Sequence, residues 1–566
     1  MQTSINIKIG GQAGEGIKTT GLILSKVFAR LGFSIFSYDE YPSLIRGGHN
    51  CYQMLADHRP VYAQRRKVDI LICLDEQSFV LHQTELKNSS LILYDPDKFK
   101  LNNKDKYSSI GLPWVKLAQQ AGGSKIMANM VSLGGILALC SLPLDTLFSL
   151  ISSVFKSKGD KVVEGNQKAA QAGFDFVKQN FSQKKLALEQ PQKKDQIVVL
   201  GNEAIASGAI AAGIKYYAAY PMTPVSSVLH FLASQAEKYN LVVNHAENEI
   251  AAINTSLGAA AAGVRAMTAT SGGGFCLMTE GLGMAGMAEV PLVLILGMRA
   301  GPSSGMPTWT GQGDLLFAIY ASQDEFPRLV LTPGDAFEAF DLTKKAFELS
   351  EKYQLPVILL VDKVLCESHY CGSAFTADHT NQRFGFAQKI EKNYQRYGLS
   401  DSGVSPRPLL GQNGGACLIT NSYEHGPDGL GTEDISLRKQ QMEKRLKKLK
   451  SVRNQLWDLP LFGETEGSLT LVGFGTTAGP AREALKQLPG ANYLHFNYLW
   501  PFPAEQVKNV LGKGQRIICF EGNATGQLEA LIRQKTGIEI KERLRKYDGR
   551  PFYPEEIIEY INKNDY

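Results

Sequence analysis

The chain has 566 residues, too many for a single hydrophobic core, so roughly two to four domains are expected. Hydrophobic residues make up 44% and charged residues 20%, which is the composition of an ordinary globular protein and excludes disordered, fibrous and multi-span membrane classes. A net charge of +5 is small for this size and gives no case for nucleic acid. No basic leader runs into an apolar core and no apolar run reaches membrane-spanning length, so a cytoplasmic enzyme or enzyme subunit is expected.

Residues 4–182 alternate strand-like and helix-like patterns. Ile5-Asn6-Ile7-Lys8-Ile9 alternates into Gly10-Gly11, and Ile17, Leu24, Val27, Phe28 and Leu31 then share one helical face. Stretches 33–38, 68–74 and 91–94 read as buried strands. Together these predict a βα-type domain over 1–182 with a mostly parallel sheet. Residues 183–196 carry lysines, a proline and only isolated apolar residues, and read as a linker.

A second α/β unit is expected from Ile197-Val198-Val199-Leu200 to about Cys371, with buried strands at 290–297 and 356–361. Residues 372–465 are more polar and irregular and hold a basic helix over 437–456. Met442, Leu446, Leu449 and Leu456 fall on one side of it, which suits either a solvated surface helix or a partner-docking one. A third unit over 466–566 opens on the strand-like Leu469-Thr470-Leu471-Val472. A further strand at 516–520 leads into Glu521-Gly522-Asn523.

The eight cysteines, Cys51, Cys73, Cys140, Cys276, Cys366, Cys371, Cys417 and Cys519, are scattered and mostly sit in apolar runs. They read as free thiols of a reducing compartment, with no metal or iron–sulfur ligand set within the chain.

Two glycine-rich or proline-rich loops carry chemistry. The first, Gly10-Gly11-Gln12-Ala13-Gly14-Glu15-Gly16, lies between a strand and a helix, where exposed amides suit an anion. Asp39 and Glu40 follow where a dinucleotide-binding domain would place its ribose carboxylate. The spacing is not that of a dinucleotide fingerprint, however, and Glu15 would repel a pyrophosphate. A packing turn and a ligand loop both remain open here. The second loop, Ala219-Tyr220-Pro221-Met222-Thr223-Pro224-Val225-Ser226, is stiffened by two prolines, which fix φ and disfavour helix just before them. It is either a strand-to-helix turn capped by Thr or Ser or a loop that presents the Thr223 hydroxyl.

Further motifs decide between these readings. The glycine loop is followed by Tyr41-Pro42-Ser43-Leu44-Ile45-Arg46-Gly47-Gly48-His49 and by Asn129-Met130-Val131-Ser132-Leu133-Gly134-Gly135. In this order the three segments resemble the gamma domain of 2-oxoacid:ferredoxin oxidoreductases. Tyr220-Pro221-Met222-Thr223-Pro224 resembles the Tyr-Pro-Ile-Thr-Pro signature of the alpha subunit of the same enzymes. It is followed by Glu247-Asn248-Glu249, Thr270-Ser271-Gly272-Gly273-Gly274, Arg299-Ala300-Gly301-Pro302 and Gln312-Gly313-Asp314. Glu521-Gly522-Asn523 through Gln527 is similar to a segment of the family's transketolase C-terminal-like domain, which serves association and scaffolding.

The resemblance implies three α/β domains: a gamma-type domain (1–182), a thiamine-enzyme pyrimidine-type domain (197–371) and a transketolase C-terminal-like domain (466–566). It implies thiamine diphosphate chemistry, in which a carboxyl group on the aminopyrimidine nitrogen promotes the reactive tautomer. Glu249 matches that position better than Glu247. Arg299 would hold the substrate carboxylate as a planar fork, with Thr223 donating to the carboxylate or keto oxygen. Ser271, Gly272 and Gly273 would pass close to the cofactor ring, and Gly11, Gly14, Gly16 and Arg46 form a candidate anion or coenzyme A contact loop. The family's Gly-Asp-Gly metal-diphosphate segment and clustered cysteines are missing, which implies that Mg²⁺, the bulk of the cofactor site and the [4Fe-4S] cluster reside on a beta subunit. The expected assembly is a dimer of alpha–beta heterodimers that uses coenzyme A and passes electrons to ferredoxin.

The fused gamma-before-alpha order, with Glu424-His425 ahead of a basic helix, resembles the 2-oxoglutarate type, although Gly426-Pro427 replaces an expected acidic pair. Pyruvate and branched-chain 2-oxoacids stand as alternative substrates. A nicotinamide-dependent dehydrogenase and a non-catalytic assembly subunit stand as rival functions.

Overall fold

In the computed structural model, residues 2–44, 47–101, 106–122, 124–376, 382–391, 394–412 and 419–563 are described. The chain divides into two units, Met1–Val199 with Ser368–Ala374 and Tyr553–Tyr566, and Leu200–Glu367 with Phe375–Phe552.

The first unit contains β1 (Ser4–Gln12), β2 (Ser34–Glu40), β3 (His49–Asp57), β4 (Val68–Cys73), β5 (Leu86–Tyr94), β6 (Ser108–Gly111) and β7 (Ile197–Leu200). Across the sheet they lie β6-β5-β4-β1-β3-β2, then the strand His369–Gly372, then β7. β6, β5, β4 and β1 pair in parallel. β3 runs antiparallel to both β1 and β2, and His369–Gly372 runs antiparallel to β2.

The expected mostly parallel sheet is therefore a mixed one. β3, missed by sequence patterning as β6 was, is buried on both faces over most of its length and shows no alternation. The connection from β2, residues 41–48, is shorter than the dozen or so residues a parallel crossover needs, so β3 must turn back antiparallel.

Helices Ala128–Leu139 and Asp160–Asn180 cover this sheet and cross through glycines. A Cβ on Gly134 would fall 1.9 Å from the Ala170 carbonyl oxygen, and one on Gly173 would fall 2.0 Å from that of Val131. Residues 183–196 run along the same unit rather than hanging free. Leu188 is buried and bridges to Gln2, and the Gln196 amide donates to the carbonyls of Ala29 (2.9 Å) and Phe33 (2.7 Å).

Three segments lie elsewhere than their sequence neighbours suggest. β7, expected to open the second domain, instead closes the edge of the first sheet, and His369–Gly372 joins it. The last helix, Pro554–Lys563, also returns to the first unit, where Glu559 pairs with Arg66 at 2.8 Å. A short apolar strand or a one-faced helix needs a partner, but its sequence does not specify which one.

The second unit contains β8 (Tyr216–Ala219), β9 (Val242–His245), β10 (Ala266–Ser271), β11 (Leu292–Met298), β12 (Leu329–Leu331) and β13 (Pro356–Asp362). β14 is the His369–Gly372 strand of the first sheet. After it come β15 (Leu461–Gly463), β16 (Leu469–Phe474), β17 (Ala491–Phe496), β18 (Tyr498–Trp500), β19 (Arg516–Glu521) and β20 (Glu542–Arg545). The larger sheet runs β18-β12-β13-β11-β10-β8-β9, parallel except for β18. β10, β11 and β13 are buried along their whole length. The smaller sheet runs β15-β17-β16-β19-β20, parallel except for β15.

The basic helix forms as Ile435–Arg453, but it is not a solvated surface helix. Gln441, Lys444, Arg445, Lys448 and Val452 are buried, while Met442, Leu446 and Leu449 are only half-buried. The lysines reach a single buried carboxylate: Lys444 lies 2.6 Å from Glu289 Oε1 and Lys448 lies 2.5 Å from Oε2. Arg445 donates to both oxygens of Glu424, at 2.9 and 2.7 Å. Burial works to raise the pKa of Glu289, but the ammonium groups of Lys448 and Lys444 and the Arg396 guanidinium outweigh it and hold it well below the usual carboxylate range.

Removing one member of such a group leaves buried charge uncompensated, at a cost of about 3–5 kcal/mol. Glu289→Gln is accordingly expected to lower stability by about that amount in chemical denaturation. A shift within experimental error would show that the cluster is not held as described.

Candidate active site

Parallel strands end on a common edge, and in open α/β sheets that carboxyl edge is where ligands bind. The residues singled out in the second unit all lie just beyond it. Thr223 follows β8, Glu249 follows β9, Ser271 ends β10, and Arg299 follows β11.

The Thr223 loop is not a capped turn. The helix Ser226–Tyr239 has Val225 at its N-cap and no side-chain cap, and among the described residues the Thr223 hydroxyl has no hydrogen-bond partner. The loop is anchored from below by buried Asn202, whose amide donates to the Pro224 carbonyl (2.8 Å) and to Ser227 Oγ (2.7 Å). Arg299 Nη1 donates to the Thr223 carbonyl at 3.1 Å, so the expected substrate pair is in direct contact. The remaining guanidinium donors have no partner among the described residues.

Glu249 and Glu247, left as alternatives by the spacing, differ sharply in environment. Glu249 is 4% exposed, whereas Glu247 is exposed. Glu249 is the first residue of the helix Glu249–Ala261, which is capped by the Asn248 side chain accepting from the Ala251 amide at 2.9 Å. Its carboxylate has no hydrogen-bond partner among the described residues.

The glycines that open the helix Gly272–Met287 serve different purposes. A Cβ on Gly274 would fall 2.1 Å from Thr270 Oγ1 and 2.6 Å from Glu249 Oε1. A Cβ on Gly272 would fall 2.7 Å from Asp314 Oδ2. A Cβ on Gly273 would meet nothing within 4 Å. Ser271 Oγ is buried without a partner. Two carboxylates thus rest on one helix start, an electrostatically favourable place for them, with an open face between.

Asp314 was not singled out in the sequence, where Gln312-Gly313-Asp314 reads only as the end of a motif. Burial pushes its pKa up to about 6 against the opposing pull of Arg299. Burial likewise lowers the pKa of Arg299, against the pull of Asp314.

The segment leading to Asp314 is held by the loop after β19. Gln312 N donates to the Gly522 carbonyl (2.7 Å) and Gln312 Oε1 accepts from Gly522 N (2.9 Å). Gln527 spans the next residues, donating to Gly313 O (2.7 Å) and accepting from Leu316 N (3.0 Å). Gly522 and Gln527, in the segment for which a scaffolding role is implied, thus hold the stretch that leads to Asp314.

In the first unit, the glycine loop closes on its own acidic residue. Glu15 Oε2 accepts from the Gln12 amide at 3.0 Å, and Asn129 donates to the Glu15 carbonyl at 2.8 Å. Ala13 N donates to the Gly48 carbonyl at 3.3 Å, so the three gamma-type segments meet. Gly14 and Gly16 have φ of +96° and +77°, which favour glycine. Beside the loop lies a cleft of about 220 Å³ lined by Lys18, Asp39, Tyr41 and Asn50 among others. Asp39 is engaged by Lys18 at 2.7 Å. Arg46 and Cys417 lie outside the described residues.

Six of the described cysteines are buried or half-buried, and Cys276 is exposed. No group of three or more His, Cys, Asp or Glu able to hold a metal ion occurs among the described residues. No described helix is long and apolar enough to cross a membrane.

Comparisons with known proteins agree with a thiamine-dependent oxidoreductase fold. Residues 207–444 match the family described as "Pyruvate flavodoxin/ferredoxin oxidoreductase, thiamine diP-bdg", and residues 6–176 match "Pyruvate ferredoxin/flavodoxin oxidoreductase". The chain is 32% identical to 2-oxoacid:ferredoxin oxidoreductase 2, subunit alpha, of Aeropyrum pernix over 98% of this chain and 96% of that one. It is 33% identical to 2-oxoglutarate synthase subunit KorA of Archaeoglobus fulgidus over 64% of this chain and 98% of that one. The solved 2-oxoglutarate:ferredoxin oxidoreductase of Magnetococcus marinus, with 2-oxoglutarate, coenzyme A and succinyl-CoA bound, superposes over 100% of both chains with a TM-score of 0.94 at 30% identity. The chain belongs to the alpha subunits of the 2-oxoacid:ferredoxin oxidoreductases, a family of multi-subunit oxidoreductases.

The glycine environments give a direct check on this edge of the sheet. Gly274→Ala is expected to lower the melting temperature, because its Cβ must displace Thr270 or Glu249. Gly273→Ala is expected to leave melting unchanged or slightly raised, since alanine favours helix over glycine by up to about 1 kcal/mol. Equal effects of the two changes in a thermal melt would contradict the packing described.

Proposed function

We propose that this chain is the fused gamma–alpha subunit of an enzyme that oxidatively decarboxylates 2-oxoglutarate with coenzyme A, giving succinyl-CoA and CO₂ and passing electrons to ferredoxin. The observation that carries the reading is the convergence of Thr223, Glu249, Ser271 and Arg299 on one carboxyl edge. The names of the relatives and of the superposed structure support the choice of acid.

Glu424-His425, which suggested the 2-oxoglutarate type from sequence, carries no weight as a substrate contact. Glu424 is taken up by Arg445 and Arg438, and the buried His425 ring packs on Tyr397 at 4.0 Å. Pyruvate and branched-chain 2-oxoacids are the alternative substrates.

The residues present fit thiamine diphosphate. The buried Glu249 carboxylate and Ser271 Oγ lack partners among the described residues, and Gly273 faces open space. When bound, the cofactor supplies the nucleophilic carbon and the electron sink that decarboxylation requires. Glu249 would hold a proton at the aminopyrimidine nitrogen, in a site dry enough to strengthen that bond. Ser271 and the open face at Gly272 and Gly273 would seat the ring.

Arg299 would hold the substrate carboxylate by the donors not used on Thr223, and the Thr223 hydroxyl would donate to the carboxylate or keto oxygen. Holding both ends of the reacting group fixes its approach and removes much of the entropic barrier.

Mg²⁺, the diphosphate contacts and the [4Fe-4S] cluster are assigned to a beta subunit, in a dimer of alpha–beta heterodimers. In the first unit, Gly11, Gly14, Gly16 and Arg46 are put forward as an anion or coenzyme A contact loop. The domain division follows as gamma-type 1–182, pyrimidine-type 197–371 and transketolase C-terminal-like 466–566, with the exchanged segments noted above.

The reading is tested by co-expressing the chain with its beta subunit and measuring coenzyme A-dependent dye reduction over a panel of 2-oxoacids. The highest kcat/KM is expected for 2-oxoglutarate, and no reduction with any acid would overturn the enzyme assignment. Glu249→Gln is expected to lower kcat by about 10²–10⁴-fold, and Arg299→Ala to raise KM for the acid. Unchanged activity in both variants would favour the assembly-subunit rival. Tight NAD(H) binding with no response to coenzyme A would favour the dehydrogenase.

A further inference from the structure

We propose that Arg550 is a positioning residue for Arg299: stacked on Trp309, it fixes the base of the loop that hangs from the substrate-holding guanidinium. The inference rests on the reading of Arg299 as the group that holds the 2-oxoacid carboxylate.

β11 ends at Met298, opposite Asp362 of β13, and Arg299 is the first residue beyond that ladder. From there the chain leaves as a loop whose ends are joined. Ala300 N donates to the Trp309 carbonyl at 3.1 Å, Met306 N to the Ala300 carbonyl at 2.8 Å and Trp309 N to the Met306 carbonyl at 3.0 Å. Residues 301–306 face solvent. A compact loop of this kind takes its orientation from whatever holds its base.

The base is in contact with Arg299 itself. A Cβ on Gly311 would fall 3.2 Å from the Arg299 carbonyl carbon and 3.3 Å from its oxygen. The returning chain thus runs backbone against backbone beside Arg299, and a shift of residues 309–311 is passed on to it. A guanidinium displaced even slightly loses the two-point fit that orients a carboxylate for reaction.

The segment after β20, in the same unit, holds that base from outside. Lys546 N donates to the Glu521 carbonyl at 3.1 Å, and buried Phe552 meets the Phe520 ring of β19 at 5.4 Å, so both ends of the segment are tied to one strand. Between them, the Gly549 carbonyl accepts from Thr310 N at 3.2 Å. Gly549 has φ of +81°, and a Cβ there would fall 2.5 Å from Met306 Cε and 3.1 Å from Trp309 Cβ. The segment therefore lies directly on the loop.

Arg550 completes the contact. Its Cζ stands 3.3 Å from the centroid of the Trp309 ring, and its own amide donates to Asp548 Oδ1 at 2.9 Å. Among the described residues its guanidinium has no ion pair or hydrogen bond, so the indole face is its partner. A planar cation lies flat on an indole in a way that an ammonium does not reproduce. Neither group titrates in the neutral range, so this support is independent of pH.

The experiment uses the reconstituted alpha–beta enzyme. Steady-state kinetics with 2-oxoglutarate and with coenzyme A, at several pH values across the neutral range, compare the wild type with Arg550→Gln, Arg550→Lys, Trp309→Leu, Arg299→Ala and the double variant Arg550→Gln/Trp309→Leu.

Arg550→Gln is expected to raise KM for the acid by about three- to tenfold, by the same factor at each pH, with kcat and KM for coenzyme A little changed. Arg550→Lys gives a smaller rise. Because the two side chains act as one contact, the double variant is no worse than Trp309→Leu alone. A role in stability only would reduce the folded fraction, lowering apparent kcat and leaving KM where it was. An unmoved KM for the acid in Arg550→Gln overturns the proposal, as do multiplying effects in the double variant. Should Trp309→Leu fail to fold, Arg550→Gln decides alone. A KM raised in Arg299→Ala but not in Arg550→Gln removes Arg550 and leaves the reading of Arg299 standing. A KM unmoved in Arg299→Ala overturns that reading, and with it the route from Arg550 to the substrate.

Discussion

Parallel pairing is the constraint on which the rest of the second unit depends. When β8, β9, β10 and β11 all run the same way, their last residues must line up on one edge, whatever their distance in sequence. That geometry brings the Thr223 loop, the head of the Glu249 helix, the glycine turn and Arg299 together without any long-range pairing motif. Antiparallel β18 at the margin leaves the edge undisturbed. Each catalytic candidate thus sits where a strand stops and the chain is released from the ladder. Its side chain is positioned by regular structure on one side and exposed to a ligand on the other.

The glycine turn adds a second layer of control. Gly272 and Gly274 are small because carboxylates of Asp314 and Glu249 occupy the space a side chain would need, and Gly273 is small where the structure is open. The helix start thereby gathers negative charge that its own dipole favours. Asp314 depends in turn on residues after β19, since Gln312 and Gln527 hold the chain on either side of it. The loop after β19 in the smaller sheet therefore fixes the segment that leads to Asp314.

Buried charge performs a different task in the basic helix. Glu289, Lys444, Lys448 and Arg396 form a cluster inside the unit, and Glu424 joins Arg438 and Arg445 beside it. Such groups add little net stability over well-packed apolar residues, but they penalise any arrangement that separates them.

Much of this protein was legible in its residues. The alternation of Ile5, Ile7 and Ile9 into glycine, the proline-bracketed Thr223 and the carboxylates near position 249 are local patterns. Local patterns follow from backbone sterics and hydrophobic periodicity, which a single segment contains in full. What only the tertiary structure decided is which partner each segment finds. It sent β7 and the strand His369–Gly372 to the first sheet, inserted β3 antiparallel, turned the charged face of the basic helix inward and set Asp314 against Gly272. Those outcomes depend on burial and charge compensation between residues far apart in the chain, and no single segment carries that information.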